Sequence, residues 1–150
     1  MDRRQLLQTS LYGAMLSSLG ACANNSAALA QTTGRLPPWP SQIQKIAFGS
    51  CINQHKAQPI WQAILANQPD LFIFGGDTVY ADSQPWQLAK TEAAYATQAA
   101  QAGFAQLRDT IPHLAIWDDN DMGLNDGGAD FPHKLASKNA FIDFWRLPAN

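Results

Sequence analysis

The chain has 150 residues, 46% of them hydrophobic and 15% charged, with 10 Lys+Arg against 12 Asp+Glu and a net charge of -2. That is the size and composition of one ordinary globular domain. No basic cluster lies in its body, which excludes a nucleic-acid-binding surface, and two cysteines, Cys22 and Cys51, are too few for a disulfide framework.

Residues 1–30 read as an export signal. Arg3-Arg4 precede an uncharged stretch that runs from residue 5 to residue 33, a basic segment followed by an apolar one. Gln8, Thr9, Ser10, Ser17 and Ser18 make that stretch too polar for a transmembrane helix. Arg3-Arg4-Gln5-Leu6-Leu7 resembles the twin-arginine signal, which implies the twin-arginine export machinery as a partner and the periplasm or cell envelope as the destination. Two processing routes stay open: cleavage after Ala28-Leu29-Ala30, or a lipoprotein box at Leu19-Gly20-Ala21-Cys22 with a lipid anchor on Cys22. Residues 31–42, with three prolines, read as a linker.

The segment 43–150 then reads as an α/β domain. Lys45–Gly49 has the length and apolarity of a buried strand. Pro59 opens a helix to about Asn67 with Ile60, Trp61, Ile64 and Leu65 on one face. Leu71–Phe74 is a second strand, so the first three elements make a βαβ unit with parallel strands and a right-handed crossover. An Ala/Gln-rich helix is expected over residues 86–102, broken at Gly103, followed by a shorter turn carrying Phe104, Leu107 and Arg108. His113–Trp117 is a third strand, residues 118–132 an acidic loop, and Lys134–Trp145 a last helix with Phe141 and Phe144 inward.

Chemistry-bearing residues follow each strand: Cys51 after the first, Asp77 and Tyr80 after the second, Asp118 and Asp119 after the third. Parallel strands end at one edge of a sheet, where open α/β sheets place their ligands. Asp77, after Gly75-Gly76, is a carboxylate at a strand tip and suits a hard cation. Tyr80 is either a half-buried loop aromatic or a ligand that needs a strong Lewis acid to remove a proton of pKa about 10. Cys51 is either a small apolar filler or a thiolate ligand. Five of the twelve acids fall within residues 118–130, where no base lies. This loop binds a cation or is simply solvated, because Met122 and Ala129 break a calcium-loop register and Gly123 breaks the paired-aspartate phosphatase pattern. His55, His113 and His133 show no metal-ligand spacing and read as packing or solvent residues.

"IAFGSC" (Ile46–Cys51), "PDLFIFGGDTVYAD" (Pro69–Asp82), "GFAQLR" (Gly103–Arg108), "LAIWDDNDMGLNDGGADFP" (Leu114–Pro132) and "FIDFW" (Phe141–Trp145) resemble the alkaline phosphatase D (PhoD-like) branch of the metallophosphoesterases, in this order and spacing. The resemblance implies part of a metallophosphoesterase-like α/β/β/α sandwich and a metal-dependent phosphatase or phosphodiesterase acting on a phosphate ester. It implies Cys51, Asp77, Tyr80 and Asp119 as ligands of iron and calcium or another divalent metal, with Asp77 bridging two ions. Thr78 stands where the family usually has Asn, Met122 where it has Tyr, and Asn120 where it has a catalytic His. An amide donates a hydrogen bond but gives up no proton at neutral pH, so Asn120 weakens the expected turnover. The family's second half, which brings further ligands including histidines, has no counterpart after Asn150. The expectation is therefore an N-terminal part with marginal stability and little activity. Two rivals remain: a remnant that only binds metal or phosphate, and a calcium-binding surface module resting on the acidic loop alone.

Replacing Arg3 and Arg4 together by lysine is expected to trap the precursor in the cytoplasm, read by fractionation and immunoblotting; unimpaired export of that variant refutes the twin-arginine assignment.

Overall fold

The computed structural model describes residues 36–147; the export signal, Cys22 and the first part of the linker lie outside the described residues. Three strands, β1 (Ile46–Gly49), β2 (Leu71–Gly75) and β3 (His113–Ile116), form one parallel sheet in the order β1-β2-β3. Around it stand α1 (Ile60–Ala66), α2 (Leu88–Ala99), α3 (Ala102–Thr110), the single turn α4 (Asp119–Met122) and α5 (Lys134–Trp145). The expected βαβ unit is β1-α1-β2, and β2 reaches β3 through α2 and α3. None of the described helices is long and apolar enough to cross a membrane.

The alternation of side chains along β2 divides the molecule. Phe72 and Phe74 project to one face, where Trp61, Phe104, Leu107, Phe141 and Trp145 bury them. Ring centroids of 4.5 Å for Phe74–Trp145 and 5.5 Å for Trp61–Phe104 show edge and tilted contacts, the arrangements that aromatic quadrupoles favour. Phe144 stacks on Tyr95 at 4.4 Å and carries the Arg108 guanidinium 4.8 Å above its ring, a cation–π contact at the edge of the core.

Among the described residues the opposite face of the sheet is largely uncovered, and this corrects the reading of residues 45–49 as a buried strand. Phe48 is 82% exposed and Ile116 61% exposed, with Ile46 and Leu114 also open to solvent. The register aligns Phe48, Ile73 and Leu114 in one row across the three strands. A short apolar run looks the same whether one or both of its faces are covered.

Two helix expectations also change. Ile60 stands exposed rather than on the buried face of α1, which Trp61 occupies. The expected break at Gly103 falls earlier, at Ala100–Gln101, and α3 runs through Gly103. A Cβ there would lie 2.6 Å from the Trp61 Cβ, so this glycine serves the close approach of α3 to α1 and not a bend.

His113 is the buried histidine of β3. Its Nδ1–H donates to the Ile111 carbonyl at 3.0 Å, its ring packs against Phe74 and Trp145, and its Nε2 has no partner. Burial pushes its pKa down; the Ile111 carbonyl opposes this, while Arg108 and Arg146 add to it. The unfolded chain takes up a proton near pH 6.5, whereas the folded chain takes it up only at lower pH. Stability is therefore expected to fall as the pH drops below about 6.5 and to level off once the folded-state imidazole titrates. Urea midpoints at pH about 7.5 and about 5.5 check this: the acid loss should shrink in His113→Phe, and an equal loss in both proteins contradicts the assignment.

Candidate metal centre

The site is built at the C-terminal edge of the sheet, beyond the last ladder bonds of all three strands. The loop after β1 and the loop after β2 continue pairing, with the Cys51 N–H donating to Gly76 O at 3.2 Å and the Ile52 N–H to Asp77 O at 2.7 Å. This brings Cys51 and Asp77 side by side at left-handed φ values of 60° and 50°. Non-glycine residues held there cost on the order of 1–3 kcal/mol each and concentrate at functional sites. Gly76, φ 97°, is required for a second reason: a Cβ would meet the Asp118 Cβ at 2.7 Å. The glycine lets the tip of β2 close against the tip of β3.

Three carboxylates meet there. One oxygen each of Asp77, Asp118 and Asp119 lies within 4.8 Å of the other two. Asp77 Oδ2 accepts from the Tyr80 hydroxyl at 3.3 Å and from the Cys51 thiol at 3.6 Å. Asp77 Oδ1 is buried and has no hydrogen-bond partner. Asp119 uses Oδ1 to accept from the Asn120 N–H at 3.0 Å and Oδ2 to accept from the Asp126 N–H. Burial, and then the negative charge of Asp77, push the Tyr80 phenol pKa up, so the phenol is a donor in the absence of a cation.

The donor chemistry fits a hard metal ion. Converging carboxylates repel one another and lose that repulsion only when a cation or proton lies among them, and an orphaned buried carboxylate oxygen is the kind of ligand atom a cation satisfies. Tyr80 and Cys51 share the other oxygen of Asp77. Of the four ligands expected from the resemblance, Asp77 and Asp119 fall in the carboxylate cluster and Cys51 and Tyr80 stand against Asp77. Asp118 joins them, a member the resemblance left out. Asn120 is buried and turned back toward Asp119, with its Nδ2 3.4 Å from Asp119 Oδ1. His55, His113 and His133 are outside the cluster; His133 stacks on Trp86 at 4.5 Å.

Asp121 is the residue that reading from the sequence missed. It is 0% exposed and lies in the part of the acidic segment 118–132 that forms the single turn α4. Its Oδ1 accepts from the Thr78 N–H at 2.9 Å and the Val79 N–H at 3.3 Å, and its Oδ2 from the Asp118 N–H at 3.0 Å. One carboxylate thus closes the loop after β2 onto the loop after β3. Burial pushes its pKa up to about 7 against the pull of these three donors, with Asp77 adding to the rise. The available signal was the Asp118-x-x-Asp121 spacing, a capping box.

A cleft of about 570 Å³ opens beside Cys51 and Tyr80, with Ser50, Asn53, Ile60 and a single charged residue, Lys56, on its walls. Comparison with family models, with curated proteins and with solved structures found no match to this chain.

Removing the Asp121 carboxylate leaves the buried Thr78 and Val79 N–H groups and the part-buried Asp118 N–H without acceptors, each buried one worth about 1–3 kcal/mol. Asp121→Ala is expected to lower the unfolding free energy by about 3 kcal/mol or more, and Asp121→Asn by less because its carbonyl oxygen still accepts from Thr78 and Val79. Urea denaturation checks this, and a loss under about 1 kcal/mol in the alanine variant is inconsistent with the tether.

Proposed function

We propose that this chain carries the metal centre of a phosphoric ester hydrolase of the cell envelope, of the PhoD-like kind its motifs resemble. The observation that carries the reading is the meeting of Asp77, Asp118 and Asp119 at the C-terminal sheet edge, with a buried Asp77 oxygen lacking any partner and Cys51 and Tyr80 on the other oxygen. Asp77, Asp118 and Asp119 would hold a divalent ion such as calcium, and Tyr80 and Cys51 would add the donors that select ferric iron. When bound, the metal supplies Lewis-acid polarisation of a phosphoryl oxygen and activation of water.

The remaining work falls to the chain's own residues. Lys56 offsets the negative charge of an incoming phosphate, and the cleft beside Cys51 and Tyr80 is large enough for the organic group of the ester. The left-handed backbone at Cys51 and Asp77 holds the ligands in place before any ion arrives. Asn120 offers only an amide, so it can orient a group by hydrogen bonding but cannot protonate a leaving alkoxide. This one substitution favours binding over turnover and makes slow hydrolysis, or metal and phosphate binding without hydrolysis, the expected behaviour.

The reading extends to the fold. A second β layer over the row of Phe48, Ile73 and Leu114 would complete an α/β/β/α sandwich and cover an apolar face that no described element protects.

Purified wild-type chain is expected to bind calcium or iron, and Asp77→Asn to bind about tenfold less tightly or worse, because even partners outside the ligand shell change metal affinity by about 10–100-fold. Hydrolysis of bis(p-nitrophenyl) phosphate should be chelator-sensitive and slower than about 1 per second. Equal metal content in wild type and Asp77→Asn removes Asp77 from the centre, and hydrolysis indifferent to chelators overturns the metal-dependent reading.

A further inference from the structure

We propose that Gln54 is a positioning residue for the metal centre: its buried side-chain amide pairs with both backbone groups of Tyr80 and so sets where the phenol stands. The inference rests on the reading of the sheet edge as a metal centre, and it names a residue that reading does not use.

The loop after β2 leaves the sheet at Gly76, and no strand among the described residues lies beside it to accept its N–H groups. Side chains take that role. Asp121 accepts from Thr78 and Val79, and Gln54 takes over at the next residue. The Tyr80 N–H donates to Gln54 Oε1 at 3.0 Å, and Gln54 Nε2 donates to the Tyr80 carbonyl at 2.8 Å. A planar amide that accepts and donates at once reproduces what a neighbouring strand would offer, and only Asn and Gln have that chemistry. Glutamate would face the Tyr80 carbonyl with a second acceptor. The remaining hydrogen on Gln54 Nε2 faces His55 Nε2 at 3.2 Å.

Gln54 is 1% exposed, and the segment that carries it is itself fastened. Gln101 Nε2 donates to the Gln54 carbonyl at 3.0 Å. Gln58 and Gln98 exchange reciprocal amide bonds of 2.8 and 3.0 Å, and Trp61 Nε1 donates to Gln58 Oε1 at 2.6 Å. Gln58 Nε2 also donates to the Asn53 carbonyl at 3.1 Å, so the loop that carries Gln54 is fastened at Asn53 by Gln58, which is bonded to Trp61, and at Gln54 by Gln101. Without the Gln54 pairing the phenol keeps only its 3.3 Å bond to Asp77, and both Tyr80 backbone groups need new partners.

The chain has 3 tyrosines, so tyrosine labelled with carbon-13 at Cζ gives three resonances, and Tyr80→Phe identifies the one from Tyr80. In the metal-free full chain, Gln54→Met is expected to shift or broaden the Tyr80 line and leave that of Tyr95 in place. Gln101→Met, which loosens the same segment without touching the Tyr80 pairing, should lower the melting temperature and leave the Tyr80 line unmoved. On adding ferric iron, Gln54→Met should lose about tenfold or more in affinity together with the visible phenolate-to-iron band. If Gln54→Met does not fold, Gln54→Asn, which keeps the amide but is one methylene too short, serves in its place. A folded Gln54 variant with an unmoved Tyr80 line overturns the proposal. If wild type takes up no iron but the Tyr80 line moves in the variant, the hold of Gln54 on Tyr80 stands and the metal reading alone is overturned.

Discussion

The Asp121 carboxylate carries the architecture of the sheet edge. A parallel sheet ends in strand tips whose next N–H groups point to no neighbour, and those groups must find acceptors or water. Here Thr78, Val79 and Asp118 all find the two oxygens of one buried side chain. The loops after β2 and β3 are thereby closed on each other, which is what places Asp77 from one strand beside Asp118 and Asp119 from the next. A buried carboxylate with a pKa near 7 is an uneasy tether, because desolvation opposes the charge that its hydrogen bonds favour. Removing the cluster's other negative charges, or neutralising them with a cation, relaxes that tension.

Around this tether the rest of the centre is arranged by backbone conformation and by side-chain amides. Cys51 and Asp77 sit in the left-handed region because the loops after β1 and β2 continue to pair past the strand ends. Trp86 Nε1 and Ser137 Oγ both donate to the Met122 carbonyl, at 3.1 and 2.8 Å, and so dock the short helix that bears Asp119 and Asp121. The acidic turn is held from α5 and from the segment before α2 as well as from the sheet. The aromatic core lies beneath one face only. The other face shows an apolar row that no described element covers, and leaving such a patch in water is unfavourable.

Much of this was legible in the sequence because it depends on local pattern. Apolar runs of four or five residues separated by helical stretches indicate parallel strands, and strands followed at once by Cys51, by Asp77 and Tyr80, and by Asp118 and Asp119 indicate one shared edge. The chain order of the elements and the three histidines as packing or solvent residues follow from the same reasoning. Gly103 misled, since a glycine that breaks a helix and one that admits a neighbouring indole are the same letter.

By itself, then, the sequence determined the order of the elements, the parallel sheet and the set of residues delivered to its edge, since these follow from hydrophobic period and chain connectivity. Only the tertiary structure decided which acids turn inward and which face of the sheet is covered. Asp118, Asp119 and Asp121 are near neighbours of one type in one short segment, yet one tethers the loops while the others join Asp77. The difference lies in the direction each side chain takes from a four-residue helical turn relative to loops more than forty residues away in sequence. Gln54 is likewise one polar residue among several until Tyr80 is brought to it. Side-chain direction and long-range desolvation are properties of the assembled backbone, and no local pattern encodes them.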